Sequence, residues 1–325
     1  MAERSVRVVQ LGDVASVAPA LAAALGDVAE VISIPLPQRG AHRRGPVKVL
    51  YGPLRLIDAA RVARAARALR PDVVHVHWVP NGVVGLMVGV PWVLHAHGSD
   101  IRDLDPIRRH SYGLLVRAAT CVVYATPDLA RWVLPLRPDA EHLPVAIPIR
   151  SATGEADLDV LLASRAAPSK GSGVAAAAVA ILRRERADLR IAAVDGPDFS
   201  VDAIRLPFGP KATFLERLGR ARVVVGQFRV PALGVSELEA MSMARPVVTN
   251  VDVRLYPDPP PVVVAEDAAA VARAVGRLLD DPSEAEEVGE AGQRWVRSWH
   301  SPDAVATRVL AVYRRAIATR GAGAR

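Results

Sequence analysis

One cysteine, Cys121, stands in 325 residues, which excludes an internal disulfide framework and any multi-thiolate metal site within the chain. Lysine occurs only at positions 48, 170 and 211, and asparagine only at 81 and 250. That scarcity, beside abundant Ala, Arg, Gly and Pro, is what a GC-rich coding bias leaves, so the net charge of +7 reads as partly compositional. No apolar run approaches the roughly 18 residues needed to cross a bilayer. The start, MAERSVRVVQLGDVASVAPALAAAL, has the early arginines and small residues of a leader. Gln10, Gly12 and Asp13 interrupt any hydrophobic core there, and VRVVQLG reads better as a first strand. A cytoplasmic location is the expectation.

What is present is apolar: 51% of the chain, enough for a sizeable core and against disorder. The length suits two domains of ordinary size. Arg61, Arg64 and Arg67 form an i, i+3 stripe on IDAARVARAARALR, with Arg43 and Arg44 upstream. Such a stripe is ordinarily a solvated helix face; it is also a pattern that sits on anionic lipid, giving an expected peripheral membrane contact. No nucleic-acid partner is expected.

Short β-branched runs alternate with Ala/Leu/Arg helical stretches. Strands are expected at Val6–Leu11, Val28–Ile34, Val73–His77, Trp92–His97 and Cys121–Ala125. In the second half they are expected at Leu158–Ala163, Leu189–Val194, Arg222–Gln227, Pro246–Thr249 and Val262–Val264. The pattern is that of buried parallel strands in βαβ units, hence an α/β fold with two doubly wound, Rossmann-like domains facing a cleft. The Pro-rich LPVAIPIRSATGEAD suggests a linker, dividing residues 1–150 from 151–301, with a last helix over 302–320.

Ligands of such sheets lie beyond the carboxyl ends of the strands. After Trp92–His97 comes HAHGSDIR, where His97, Gly98 and Ser99 open the exit loop. His75/His77 and His95/His97 are two H-x-H pairs, a spacing that suits metal ligation. The other histidines lie in no comparable setting, so no metal is expected: His75 and His95 read as core histidines and His97 as a site residue. After Leu158–Ala163 comes SRAAPSKGSG, with Arg165, Lys170 and a Gly-bearing turn into a helix. Two cations and helix-start amides suit a diphosphate, although the loop is not a Walker A sequence. The stretch VPALGVSELEAMSMARPVV follows Arg222–Gln227, with free amides near Gly234 and two carboxylates, Glu237 and Glu239.

RPDVVHVHW, GVPWVLHAHGSDIR, SRAAPSKG, GVSELEAMSMARPVV and LLDDPSEAEEVGEAGQRWVRSWHSP resemble, in order and over most of the chain, the landmarks of glycosyltransferase family 4, the retaining GT-B enzymes. The resemblance implies an N-terminal acceptor domain, a C-terminal nucleotide-sugar domain and a last helix packed back on the first. It implies transfer of a sugar from a nucleoside-diphosphate sugar to a hydroxyl acceptor, such as a lipid-linked or polysaccharide intermediate or a small natural product. No metal or other cofactor is implied. By position, Arg165 and Lys170 match the family's cations on the donor diphosphate, and Glu239 matches the glutamate that accepts from the ribose diol. The amides of Gly234 and Val235 approach the diphosphate, and His97 lies near the reacting centre. Gly12 and Asp13, with Gly98 and Ser99, fall on the acceptor side.

The chain also departs from the family. A second glutamate usually stands eight positions before the first-named one; here that position is Pro231, and Ser164 stands where a glycine precedes the arginine. Proline offers no side-chain acceptor and no backbone donor. Glu237, on another helix face, is expected to be solvated, with Glu239 the inner carboxylate. A catalytically weak nucleotide-sugar-binding homologue therefore stays open, as does a GT-B phosphorylase or epimerase. A nicotinamide oxidoreductase is disfavoured because LGDVAS follows the first strand in place of G-x-G-x-x-G.

Overall fold

The computed structural model describes residues 5–37, 52–152 and 154–322; Arg43 and Arg44 lie outside the described residues. The chain forms two units, one of Met1–Ala146 with Pro302–Arg325 and one of Ile147–Ser301. The division falls after Ala146 rather than after residue 150. The reason is local: the Ile147 N–H donates to the His300 carbonyl (2.7 Å) and the Arg150 N–H to Ser242 (3.2 Å), so the linker's first residues already belong to the second unit.

In the first unit six parallel strands lie in the order β2-β1-β3-β4-β5-β6. They are β1 (Val6–Leu11), β2 (Ala29–Ile34), β3 (Val73–His77), β4 (Trp92–Ala96), β5 (Cys121–Tyr124) and β6 (Glu141–His142). The helices are α1 (Val17–Leu25), α2 (Gly52–Ala68), α3 (Gly82–Val88), α4 (Pro106–Ala118) and the short α5 (Ala130–Val133). Alternate strand residues feed opposite faces. Val8, Val73, Val93 and Val123 pack with Leu21 and Leu25 of α1 and with Val305, Val309 and Tyr313 of the terminal helix, Pro302–Ala322. Val9, Val74 and Leu94 pack with Val62 and Ala66 of α2 and Val84 of α3. Covering both faces is what allows strands this uniformly apolar. Helix α4 starts where it does because the Asp105 carboxylate accepts from the Arg108 N–H and Pro106 fills the first turn.

The second unit repeats the plan with order β12-β11-β10-β7-β8-β9. Its strands are β7 (Leu158–Leu162), β8 (Ile191–Val194), β9 (Ile204–Leu206), β10 (Ala221–Val225), β11 (Val247–Thr249) and β12 (Val263–Val264). Its helices are α6 (Ser172–Glu185), α7 (Lys211–Gly219), α8 (Val235–Ser242), α9 (Ala268–Asp280) and α10 (Pro282–His300). Strand order reverses between β1 and β3 in one sheet and between β7 and β10 in the other. These are the switch points at which such sheets bind ligands.

The two- and three-residue strands β6 and β9 were not expected; they are too short to show a period of their own. Arg67 differs from its stripe, since it donates to the carbonyls of Val88 (3.0 Å) and Met87 (2.6 Å) and ties α2 to α3. Arg61 and Arg64 stay exposed. Among the described residues no helix is long and apolar enough to cross a membrane.

Candidate functional site

At the first unit's switch point, backbone strain gathers in the loops that leave β1 and β3. Gly12, Ala15 and Ser16 have φ of 76°, 53° and 63°, and Trp78, directly after β3, has φ 79°. Non-glycine residues are uncommon in that region, and such strain concentrates at functional sites. The Gly12 N–H donates to the Ile34 carbonyl (3.1 Å), and a Cβ there would stand 3.0 Å from Asn81 Nδ2. The Asp13 carboxylate accepts from the Ala18 N–H (3.0 Å), so it also caps the start of α1.

Beside these loops four imidazoles stack across β3 and β4. His75 Nδ1 lies 2.7 Å from the Tyr313 hydroxyl, and His75 Nε2 lies 3.2 Å from His95 Nδ1. His77 Nε2 lies 3.3 Å from Gln10 Oε1, and His77 Nδ1 lies 3.1 Å from His97 Nε2. Ligand atoms of His75, His77 and His95 all come within 4.8 Å of one another, the composition of a metal centre. Of these nitrogens His75 Nε2 pairs with His95 Nδ1 and the two of His77 face Gln10 and His97, while His95 Nε2 is buried with no hydrogen-bond partner. Burial drives the His75 pKa down to about 3 and that of His97 to about 4, and it holds His77 and His95 well below their ordinary value. All four are therefore neutral near pH 7. His97 is the one that reaches the edge of the sheet, half-buried where the others are enclosed.

The exit loop is held by a residue the sequence reading passed over. Asp100, 1% exposed, accepts from the backbone N–H groups of Val79 (2.9 Å), His97 (3.0 Å) and Gly98 (2.7 Å), joining the loops after β3 and β4. Burial raises its pKa while those amides pull against it. Gly98 has φ 126°, and a Cβ there would fall 2.1 Å from Arg102 Nη1. Arg102 is itself fixed by Asp128 (2.7 and 2.9 Å) and Thr126 (2.9 Å). Ser99 is exposed.

In the second unit the loops after β7, β8 and β10 are laced together. The Phe228 N–H donates to the Lys170 carbonyl (2.9 Å) and the Ala166 N–H to Val194 (3.3 Å). Gly171, at φ 73°, packs against Phe228, and a Cβ on Gly196 would sit 2.1 Å from the Ala166 carbonyl oxygen. Lys170 ends a single 3-10 turn and donates to Gln227 Oε1 (3.3 Å), while Gln227 Nε2 donates to the Ala232 carbonyl (2.8 Å). Arg165 is exposed on the same loop as Lys170.

The two carboxylates require a correction. Glu237 is 2% exposed, not solvated. Its Oε1 accepts from the Gln227 N–H (2.8 Å), and it fills a space that Gly226 and Gly234 leave open, since a Cβ on either would come within 2.8 Å of it. A helix face alone would have exposed it; the glycine-walled loop returning from β10 covers it. Gly234, extended at φ −89°, precedes the first turn of α8, and Val235 begins the helix. Glu239 is also buried. Its Oε1 is 2.5 Å from Lys211 Nζ at the start of α7, and its Oε2 is buried with no hydrogen-bond partner. Burial raises the Glu239 pKa, with Lys211 pulling it down. Pro231 is exposed, and its carbonyl accepts from the Asp252 N–H (3.2 Å).

Asp100, Gln227 and Lys211 were missed because each acts on a loop distant in sequence. Their faint signals were an Asp directly after Gly-Ser and one of only three lysines.

Residues 1–147 match the glycosyl transferase 4-like domain and residues 197–311 a glycosyl transferase-like domain. No curated protein matches the chain. Among solved structures, sucrose-phosphate synthase from Thermosynechococcus elongatus superposes at TM-score 0.71 with 19% identity, covering 97% of this chain and 100% of that one. Anabaena HepE in complex with UDP and glucose gives 0.70 and 12%, covering 94% and 99%. A UDP-forming α,α-trehalose-phosphate synthase from Burkholderia xenovorans gives 0.67 and 12%, covering 96% and 99%. With a glycosyltransferase domain matched in each half and a six-stranded parallel sheet in each unit, the chain is a family-4-like glycosyltransferase of the GT-B fold.

Proposed function

We propose that the protein transfers a sugar from a nucleoside-diphosphate sugar to a hydroxyl acceptor with retention of anomeric configuration, without a bound metal. The observation that carries this reading is Glu239: a buried carboxylate oxygen without a partner, in the middle of the helix that follows β10 at the second sheet's switch point. An orphaned buried acceptor costs free energy that a ligand donor recovers, and a ribose diol supplies two donors. The loop from the adjoining strand carries Arg165 and Lys170, the charge complement of a diphosphate. The Anabaena neighbour's complex with UDP and glucose supports a nucleotide sugar as donor.

As the anomeric bond breaks, negative charge grows on the leaving diphosphate. Arg165, Lys170 and the amides at Gly234 and Val235 would stabilise it more than the bound ground state, which accelerates the step. Attack from the same face, assisted by the leaving phosphate, needs no carboxylate at Pro231. In the first unit His97, neutral at working pH, serves as hydrogen-bond partner to a sugar or acceptor hydroxyl, with Gly12, Asp13, Gly98 and Ser99 around it.

The exposed Pro231 favours one second reading, a homologue that binds nucleotide sugars with little turnover. Isothermal titration with nucleoside diphosphates followed by a donor-turnover assay separates the two. Binding with sugar transfer supports the enzyme, and binding without transfer or donor hydrolysis supports the second reading. Removing Lys170 or Arg165 is expected to cost about 3 kcal/mol of transition-state stabilisation.

A further inference from the structure

The sheet face under α1 and the terminal helix holds a polar row that packing alone does not explain. Gln10 of β1, His75 and His77 of β3, and His95 and His97 at the end of β4 fall on the side that carries Val8, Val73 and Val93. All but His97 are buried. Their contacts form two separate chains of hydrogen bonds, and only the second reaches the edge of the sheet.

Proton positions follow from the partners. In the first chain the buried Tyr313 hydroxyl meets His75 Nδ1 (2.7 Å). A phenol O–H there is satisfied only by donating, so His75 Nδ1 accepts and its proton sits on Nε2, directed at His95 Nδ1 (3.2 Å). That chain ends inside the core at His95 Nε2, which has no partner. The second chain starts at Gln10, whose Oε1 can only accept. It faces His77 Nε2 (3.3 Å), which therefore carries the proton. His77 Nδ1 is then an acceptor and takes the Nε2–H of His97 (3.1 Å). Burial keeps both rings neutral near pH 7, and a neutral imidazole carries one proton. His97 Nδ1 is thereby left as a bare acceptor.

The loop around His97 has the same polarity. The N–H groups of His97 and Gly98 are already taken by the Asp100 carboxylate (3.0 and 2.7 Å), so neither is free to donate to a ligand. A bare acceptor beside occupied amides suits a hydroxyl, which donates, and not a phosphate oxygen, which only accepts. With the Gln10 amide turned over, its Nε2 would donate to His77, every proton in the chain would move, and His97 Nδ1 would become a donor.

We propose that Gln10, acting through His77, is a positioning residue that holds the His97 proton on Nε2, so that His97 Nδ1 selects a hydroxyl and refuses an anion. The proton arrangement stands on the hydrogen-bond geometry; that the hydroxyl belongs to a sugar or its acceptor rests on the sugar-transfer reading.

Long-range proton–nitrogen correlation spectra of the full chain, with nitrogen-labelled histidine near pH 7, report which ring nitrogen carries each proton. His97→Ala assigns the His97 signals. The expected wild-type pattern is a proton on Nε2 of His75, His77 and His97, with the His97 signals unmoved by inorganic phosphate. Gln10→Met keeps the length of the side chain and removes the acceptor. It should shift the His97 proton wholly or partly to Nδ1 while His75 keeps its pattern, which also shows the fold intact. Tyr313→Phe should disturb His75 and leave His97 unchanged. A wild-type His97 protonated on Nδ1, a phosphate-induced shift at His97, or a Gln10→Met protein with the wild-type His97 pattern overturns the proposal. So do changes that spread over both chains in each variant, which would make the row one packed cluster. Nucleoside-diphosphate titration of the wild-type sample tests the other reading. Absent nucleotide binding with the expected proton pattern would refute the sugar-transfer reading alone. Nucleotide binding with His97 protonated on Nδ1 would refute the positioning role alone.

Discussion

Acidification from pH 7.5 to 5.5 should destabilise the first unit steeply, through the stacked imidazoles of β3 and β4. His75, His77 and His95 are 0%, 0% and 1% exposed, and burial holds all three far below the ordinary imidazole pKa of about 6.5. The sign follows from where protons bind. Below about pH 6.5 the unfolded chain takes up protons that the folded chain refuses, so stability is complete above that pH and is lost as pH falls toward the folded values. At pH 5.5, one unit below the unfolded value, each such group costs about 1.4 kcal/mol, and the three together about 4 kcal/mol. That is a large share of an ordinary domain's 5–15 kcal/mol. His97 and His142, each held at about 4 by burial, add to the loss. Buried Asp100 and Glu239, whose pKa values are raised, act in the opposite direction. Urea unfolding followed by circular dichroism at several pH values measures the slope. His95→Leu should reduce it by about one proton, because it removes one refused site, along with ring contacts to His75, His77 and His97. A stability that stays flat between pH 7.5 and 5.5, or a His95→Leu slope equal to wild type, would refute the reasoning.

Other consequences are more local. Glu237→Ala leaves the Gln227 N–H without its acceptor and should lower the second unit's stability by about 1–3 kcal/mol, read by thermal melting; a surface glutamate would give no shift. Lys211→Met removes the cation that pulls Glu239 down, so nucleoside-diphosphate affinity should fall more at pH 6 than at pH 8 by titration calorimetry; equal losses would separate Lys211 from the ionisation of Glu239. Gly98→Ala should cost about 1–3 kcal/mol from its φ of 126° and the clash with Arg102. It should reduce transfer while leaving nucleotide affinity, a property of the other unit, unchanged.

Most strands were legible because each lies in an apolar run ending in turn-forming residues, whereas β6 and β9 are too short to show one. The candidate residues Arg165, Lys170 and His97 could be named because each lies on a loop that leaves a strand, and Glu239 because its LEAM block resembles the family's. What the chain order hid is how separate loops close on one another. Glu237 and Glu239 differ by two positions, and helical geometry alone places one inside and one outside. Both are enclosed, because Gly226 and Gly234 make room for Glu237 and Lys211, 28 positions before Glu239, reaches it across the start of α7. Asp100 was hidden for the same reason: its three amide partners belong to two loops, which meet only when β3 and β4 pair.

The most direct measurement is calorimetric titration of a panel of nucleoside diphosphates into the wild-type protein and into Glu239→Ala, which removes the carboxylate with the unpartnered oxygen. The account predicts that at least one nucleoside diphosphate binds the wild type and that Glu239→Ala loses it by roughly tenfold or more, the effect of one lost charged hydrogen bond, with the fold intact by circular dichroism. Equal affinity in the two proteins, or no nucleoside diphosphate bound by the wild type, would contradict it.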